Sequence, residues 1–171
     1  MPDYFVKNET SLPLDKDGTS GNHCDIGVRQ ATSIGTFEGA IAYKVNENSE
    51  GCFGEFKYTT PSVRNFALES RTRGQFVDTG NNMTERLALK YSQNLGKGFS
   101  IYNITGASAN ISFEGEGLKS ITPVNLTGLG YSFNKKVGAY LEYEGTKSYN
   151  IKTKKWGNFS SNVYIGVKVY L

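Results

Sequence analysis

The chain has 171 residues and a mass of 18.8 kDa, enough for one domain (1–171) and too little for a second. Hydrophobic residues make up 37% and charged residues 20%, with 20 Gly, 11 Tyr and 10 Phe against 4 Pro, an aromatic content that excludes a disordered chain. The 19 basic and 16 acidic residues leave a net charge of +3 that is dispersed along the chain, which excludes a nucleic-acid partner, and no apolar run approaches the roughly 20 residues of a membrane-spanning helix.

Met1-Pro2-Asp3-Tyr4 is not followed by the charged and apolar regions of a secretion signal, so the expectation is a signal already removed or a protein that is not exported. Residues 4–9 read as a first strand and residues 10–22 as a long loop. In that loop Asp15-Lys16-Asp17-Gly18 has oxygen ligands at alternate positions, but no Glu follows at the twelfth position of a calcium loop, and a solvated turn is expected.

His23 and Asp25 share a strand face beside this loop. A histidine and a carboxylate on a rim are the elements of a water-activating site, as in an outer-membrane hydrolase, but neither a second carboxylate nor a serine completes a motif, and a polar lining role is expected. Cys24 and Cys52 match no zinc spacing, and with one histidine in the chain neither a metal nor another cofactor is called for. The two cysteines begin strands separated by one other strand, about 10 Å apart at the usual strand spacing, so free thiols are expected.

Period-two alternation then recurs to the end of the chain. Phe37, Gly39, Ile41, Tyr43 and Val45 oppose Glu38, Ala40, Ala42 and Lys44. Phe66 and Leu68 oppose Glu69, Arg71, Arg73 and Gln75, and Leu87, Leu89 and Tyr91 oppose Arg86, Lys90 and Ser92. Residues 99–113 fit less well, because Asn103 and Thr105 interrupt the apolar face. Residues 122–133 change phase near Gly128-Leu129-Gly130, as a β-bulge or a change of environment would cause. Val137, Ala139, Leu141 and Tyr143 oppose Tyr140, Glu142 and Glu144. Finally, Val163, Ile165, Val167, Val169 and Leu171 oppose Tyr164, Gly166, Lys168 and Tyr170. Six Asn-x-Ser/Thr triplets, at Asn8, Asn82, Asn103, Asn110, Asn125 and Asn158, fall partly inside these strands and carry no information.

The connections alternate. Residues 33–36, 60–64, 94–97 and 134–136 read as short turns, residues 10–22, 77–83, 114–120 and 151–158 as longer loops, and residues 46–51 as intermediate. That gives an all-β antiparallel meander of about ten strands, with eight as the alternative. An even number of strands, each long enough to cross hydrocarbon, is what a transmembrane β-barrel requires.

The closing segment Val163-Tyr164-Ile165-Gly166-Val167-Lys168-Val169-Tyr170-Leu171, with Gly128-Leu129-Gly130-Tyr131-Ser132-Phe133-Asn134-Lys135-Lys136 upstream, resembles the closing strands of small bacterial outer-membrane β-barrels. These are the OmpA-like and OmpX/Ail-like families and the similar barrels carried by some bacteriophages. The resemblance covers roughly the last 50 residues, and the terminal Leu171 stands where the family prefers Phe. It implies an integral outer-membrane protein whose long loops face outside, and a membrane-embedded chain is expected to be a monomer.

The polar faces then line the interior: Glu55, Lys57, Glu69, Arg71, Arg73, Arg86, Lys90, Glu142, Glu144 and Lys168, together with His23, Asp25, Arg29, Glu38 and Lys44. Paired in a narrow barrel, these charges plug it. Tyr43, Tyr58, Tyr91, Tyr131, Phe133, Tyr143 and Tyr170 suit interfacial girdles. The loop with Lys147, Lys152, Lys154, Lys155 and Trp156 suits recognition of lipopolysaccharide phosphates or of a host or phage surface protein. Surface binding, adhesion or protection is expected rather than catalysis. The same alternation also fits a soluble barrel or sandwich with its apolar faces inside, a virion or secreted interaction module.

Overall fold

A computed structural model describes residues 1–15, 20–46, 49–77, 80–114 and 117–171. Ten strands follow in chain order: β1 (Asp3–Pro13), β2 (Gly21–Thr32), β3 (Gly35–Asn46), β4 (Ser49–Thr59), β5 (Phe66–Val77), β6 (Asn82–Gly96), β7 (Phe99–Ser112), β8 (Gly117–Ser132), β9 (Val137–Asn150) and β10 (Lys155–Tyr170). Each pairs antiparallel with its neighbour in sequence, and β10 pairs with β1 from Phe5↔Tyr170 to Pro13↔Asn162, so the sheet closes. We call the end at which Phe5 and Tyr170 lie the terminal end and the opposite one the loop end.

The expected contrast between short turns and long loops is absent. The loop-end connections are residues 14–20, 47–48, 78–81, 113–116 and 151–154, against 33–34, 60–65, 97–98 and 133–136 at the terminal end. Strands continue into the segments read as loops because polar side chains there bond across the hairpins. Thr10 Oγ1–H donates to Asn22 Oδ1 at 2.5 Å and Ser11 Oγ–H to the Gly21 carbonyl at 3.3 Å. What differs instead is strand length. The first five strands have 11 or 12 residues and the last five have 14 to 16, so one side of the wall is taller.

The β4–β5 connection ends in a tight hairpin. Val63 and Phe66 exchange backbone bonds of 2.8 and 3.0 Å, and Arg64 and Asn65 between them take φ of 49° and 72°, the mirror-image turn that matches strand twist.

No bulge occurs at Gly128-Leu129-Gly130. Pairing of β7 with β8 is regular from Phe99↔Tyr131 to Asn110↔Ser120, and the register shift comes only at Asn110/Ile111. The break in pattern reflects environment: Val124 and Leu126 face inward, where Leu126 packs with Ala88, Ile104 and Tyr102.

Alternation sorts the rest. Most outward side chains are apolar and open, with Ile41 70%, Leu87 65% and Ile26 61% exposed, whereas inward Glu69, Asp25 and Arg86 are 2%, 4% and 5% exposed. That is the reverse of a water-soluble barrel, and the alternative with an apolar core fails on it. Each strand has at least the roughly 9–11 residues needed to cross a bilayer.

Aromatic pairs mark both rims. Phe37–Tyr58 (4.9 Å between ring centroids), Phe66–Tyr91 (5.1 Å) and Phe99–Tyr131 (4.6 Å) lie at the terminal end, and Phe76–Phe113 (6.2 Å) and Tyr149–Trp156 (5.2 Å) at the loop end. Two girdle expectations are corrected. Tyr143 sits mid-strand, opposite Thr127 and Val163, and Tyr170 alternates into the interior, near Lys168 Nζ (5.3 Å to the ring).

Because Ile41 is already exposed, Ile41→Arg would cost nothing in water. Facing hydrocarbon, it should destabilise the barrel by about 2–4 kcal/mol, measured by urea titration in lipid vesicles. Unchanged stability would refute a lipid-facing wall.

Candidate functional site

The ten interior residues expected from the sequence, from Glu55 to Lys168, line one cavity of about 690 Å³. It reaches from the terminal rim, at Arg29, Pro61 and Tyr170, to Glu9 and Arg73. Closure makes this possible: strands far apart in sequence bring opposite charges face to face.

At the terminal end Glu38 on β3 accepts from Lys57 of β4 and from Lys168 of β10, each at 2.9 Å. The Lys168 ammonium also lies 3.6 Å from the centroid of the Phe5 ring. In the middle Arg86 donates to Glu69 across the β5–β6 ladder, both side chains nearly inaccessible. Arg73 Nε and Nη2 donate to Glu55 Oε2 at 2.8 and 2.5 Å, and Arg71 stands 3.8 Å from the same oxygen. Charges this far from water persist only when paired.

Towards the loop end His23 Nε2 lies 3.3 Å from Glu9 and 3.4 Å from Asp25, and Lys7 Nζ lies 2.8 Å from Asp25. The second carboxylate that sequence spacing did not supply is therefore Glu9, the direct ladder partner of His23. The acid–histidine–acid contact is part of the interior charge network. His23 Nε2 has no hydrogen-bond partner, no serine or threonine is bonded to the ring among the described residues, and the side chain lies inside the wall at 10% exposure. Asp15 binds the backbone N–H of Ser161 at 2.6 Å, while positions 16–18 of the acidic turn lie outside the described residues. Cys24 and Cys52 are exposed free thiols, both paired to Tyr43, which stands between them.

Three tyrosines form a feature that sequence reasoning missed. Tyr102 on β7 donates to Glu142 on β9 at 2.5 Å, Tyr140 on β9 donates to Glu9 on β1, and Tyr164 on β10 donates to Glu144 on β9 at 2.8 Å. The first two rings lie flat across the strand between, and Gly128 and Gly166 make room for them: a Cβ at either glycine would collide with the ring. Phe5 lies over Gly27 in the same manner. The available signal was an inward aromatic followed two strands later by an inward acid, with an inward glycine between. Lys7 and Glu9 were missed because the first strand was read too short to show its alternation.

Outside the interior, Lys152 and Lys154 occupy the β9–β10 connection, whereas Lys147 lies on β9 and Lys155 and Trp156 on β10, so the expected loop is largely an extended hairpin. Trp156 is 55% exposed and packs edge-on against Tyr149, and Thr153 N–H donates to Asn150 Oδ1 at 2.9 Å, fixing the turn.

No protein-family model matches the sequence, and no curated protein matches it. Solved structures do. A bacterial polysaccharide outer membrane secretin superposes with a TM-score of 0.54 at 11% identity, over 98% of this chain and 65% of that one. The NanC porin gives 0.51 at 12% identity, over 100% of both chains. Omp33 of Acinetobacter baumannii gives 0.48 at 8%, over 99% of this chain and 98% of that one. At these identities the likeness is one of fold, and the fold is that of outer-membrane β-barrels.

Two substitution sets test the interior. Glu69→Ala should cost about 3–5 kcal/mol by stranding Arg86, and the double change Glu69→Leu with Arg86→Met should recover most of it, as urea titration in detergent would show. Gly166→Ala should displace the Tyr140 ring and cost about 1–3 kcal/mol, with Tyr140→Ala restoring part of that loss in the double variant.

Proposed function

We propose that this chain is an integral outer-membrane β-barrel whose paired interior blocks general solute passage, and that it binds anionic groups of the surrounding surface through the β9–β10 hairpin. The reading takes the loop end as the outside face. There Lys152, Lys154 and Lys155 stand beyond an aromatic pair, Tyr149 and Trp156, that suits the level where headgroups begin. Cations just above an interfacial aromatic belt meet phosphates, and lipopolysaccharide supplies these in the outer leaflet.

The observation that carries this reading is the position of that aromatic pair: outward, at the end of the taller wall, directly beneath the lysines. The interior supports the blocked barrel. The Lys57–Glu38–Lys168 bridge ties β4 to β10, and the Tyr140–Glu9 bond ties β9 to β1, so side chains span the lumen rather than line an open bore.

In a binding assay with detergent-folded protein, changing Lys152, Lys154 and Lys155 to Gln should weaken lipopolysaccharide affinity by about 100-fold at low salt, roughly fivefold per lost charge. The difference should shrink as salt rises. Equal affinity of wild type and variant refutes the hairpin as the binding element. In planar bilayers the wild-type barrel should give no steady porin-like conductance, and a large ohmic step would refute the blocked interior.

A further inference from the structure

Hydrocarbon offers no hydrogen-bond partner, so the middle of a lipid-facing wall is normally apolar. On β7 and β8 it is not. Asn103 and Thr105 of β7 face outward beside Thr127 and Asn125 of β8, as the direct ladder pairs Asn103↔Thr127 and Thr105↔Asn125.

The four side chains bond to one another. Asn103 Nδ2 donates to Thr127 Oγ1 at 2.9 Å and to Asn125 Oδ1 at 3.4 Å, Thr105 Oγ1–H donates to Asn103 Oδ1 at 2.8 Å, and Asn125 Nδ2 donates to Thr105 Oγ1 at 3.0 Å. These bonds leave one N–H of Asn125 and the hydroxyl proton of Thr127 unused within the group.

Depth places the quartet inside the membrane. Asn103 and Thr105 lie four and six residues along β7 from the rim residue Phe99, about 10–15 Å for tilted strands, in an apolar belt of about 25 Å. On β7 and β8 themselves the flanking outward residues towards the loop end are small, Ala107, Ala109 and Pro123, while Glu85 and Leu87 of β6 and Tyr143 of β9 border the patch. On the far wall, Ile26 of β2 and Ile41 of β3 are 61% and 70% exposed and suit lipid.

We propose that this polar patch is where two copies of the barrel meet in the membrane. A second copy fits better than any other occupant. The patch is uncharged, and each asparagine is donor and acceptor at once, so an identical patch related by a two-fold axis meets its unused donors with acceptors. The small residues of β7 and β8 let the two walls approach along these strands, while acyl chains satisfy none of these groups. Where the sequence led to the expectation of a monomer, this proposal expects a dimer. This inference is independent of the hairpin.

The test uses the folded barrel in lipid vesicles with Cys24 and Cys52 changed to Ser. In this background Thr105→Cys should form a disulfide-linked dimer on mild oxidation, whereas Ile41→Cys on the opposite wall should not. The variant Asn103→Val, Thr105→Val, Asn125→Leu, Thr127→Val should keep its mobility shift on boiling yet count as a monomer by single-molecule photobleaching, against two copies for the protein without these changes. Equal cross-linking at positions 105 and 41, or one copy for the unsubstituted patch at every protein-to-lipid ratio, overturns the proposal. Should the four-fold variant lose its boiling shift, the cross-linking comparison decides alone.

Discussion

Everything in this barrel depends on the closure of one hydrogen-bonded ring. In hydrocarbon an unpaired backbone amide has nothing to bond, so a sheet can cross a membrane only when it has no edges. The β1–β10 ladder removes the last two edges. Once the ring is closed, alternation leaves each side chain two choices, lipid or lumen, and ten strands make that lumen narrow. Charges along the strands are then forced together, and the fold persists because they pair.

The pairing goes beyond neighbouring strands. Arg73 with Glu55 is a direct ladder pair, and Arg86 reaches Glu69 diagonally within the neighbouring ladder. The Tyr102–Glu142 and Tyr140–Glu9 bonds and the Lys168–Glu38 contact instead connect strands that share no ladder, so they brace the barrel beyond its nearest-neighbour pairs. Tyrosine suits this role because its rigid ring reaches over an intervening glycine and carries a donor at its far end. An interior braced in this way has a fixed shape.

Much of this was legible in the sequence, for reasons that differ by element. Leu87 and Leu89 against Arg86 and Lys90, or Val163 to Val169 against Lys168, carry a period that depends only on strand geometry, so strand identity and facing follow directly. Connection length was illegible because Thr10, Ser11 and Asn22 have the composition of a turn yet bond across an extended hairpin. The Glu9–His23 contact was illegible because ladder partners depend on register, which a single sequence does not state. The interruption at Asn103 and Thr105 was visible as an anomaly, but only the neighbouring strand revealed Asn125 and Thr127 as its other half.

The ring also has a history within each molecule. Nine of its ladders join strands adjacent in sequence, whereas the tenth brings Phe5 to Tyr170. Local hairpins form quickly, but that last seam must wait for a chain of more than 150 residues to bring its ends together, and the entropy of so long a loop resists it. Until then β1 and β10 present open edges in a polymer rich in exposed aliphatic side chains. The slow step of biogenesis therefore falls on the final seam, and that is where an assembly catalyst would have to hold the two edges apart from other strands and release them to each other.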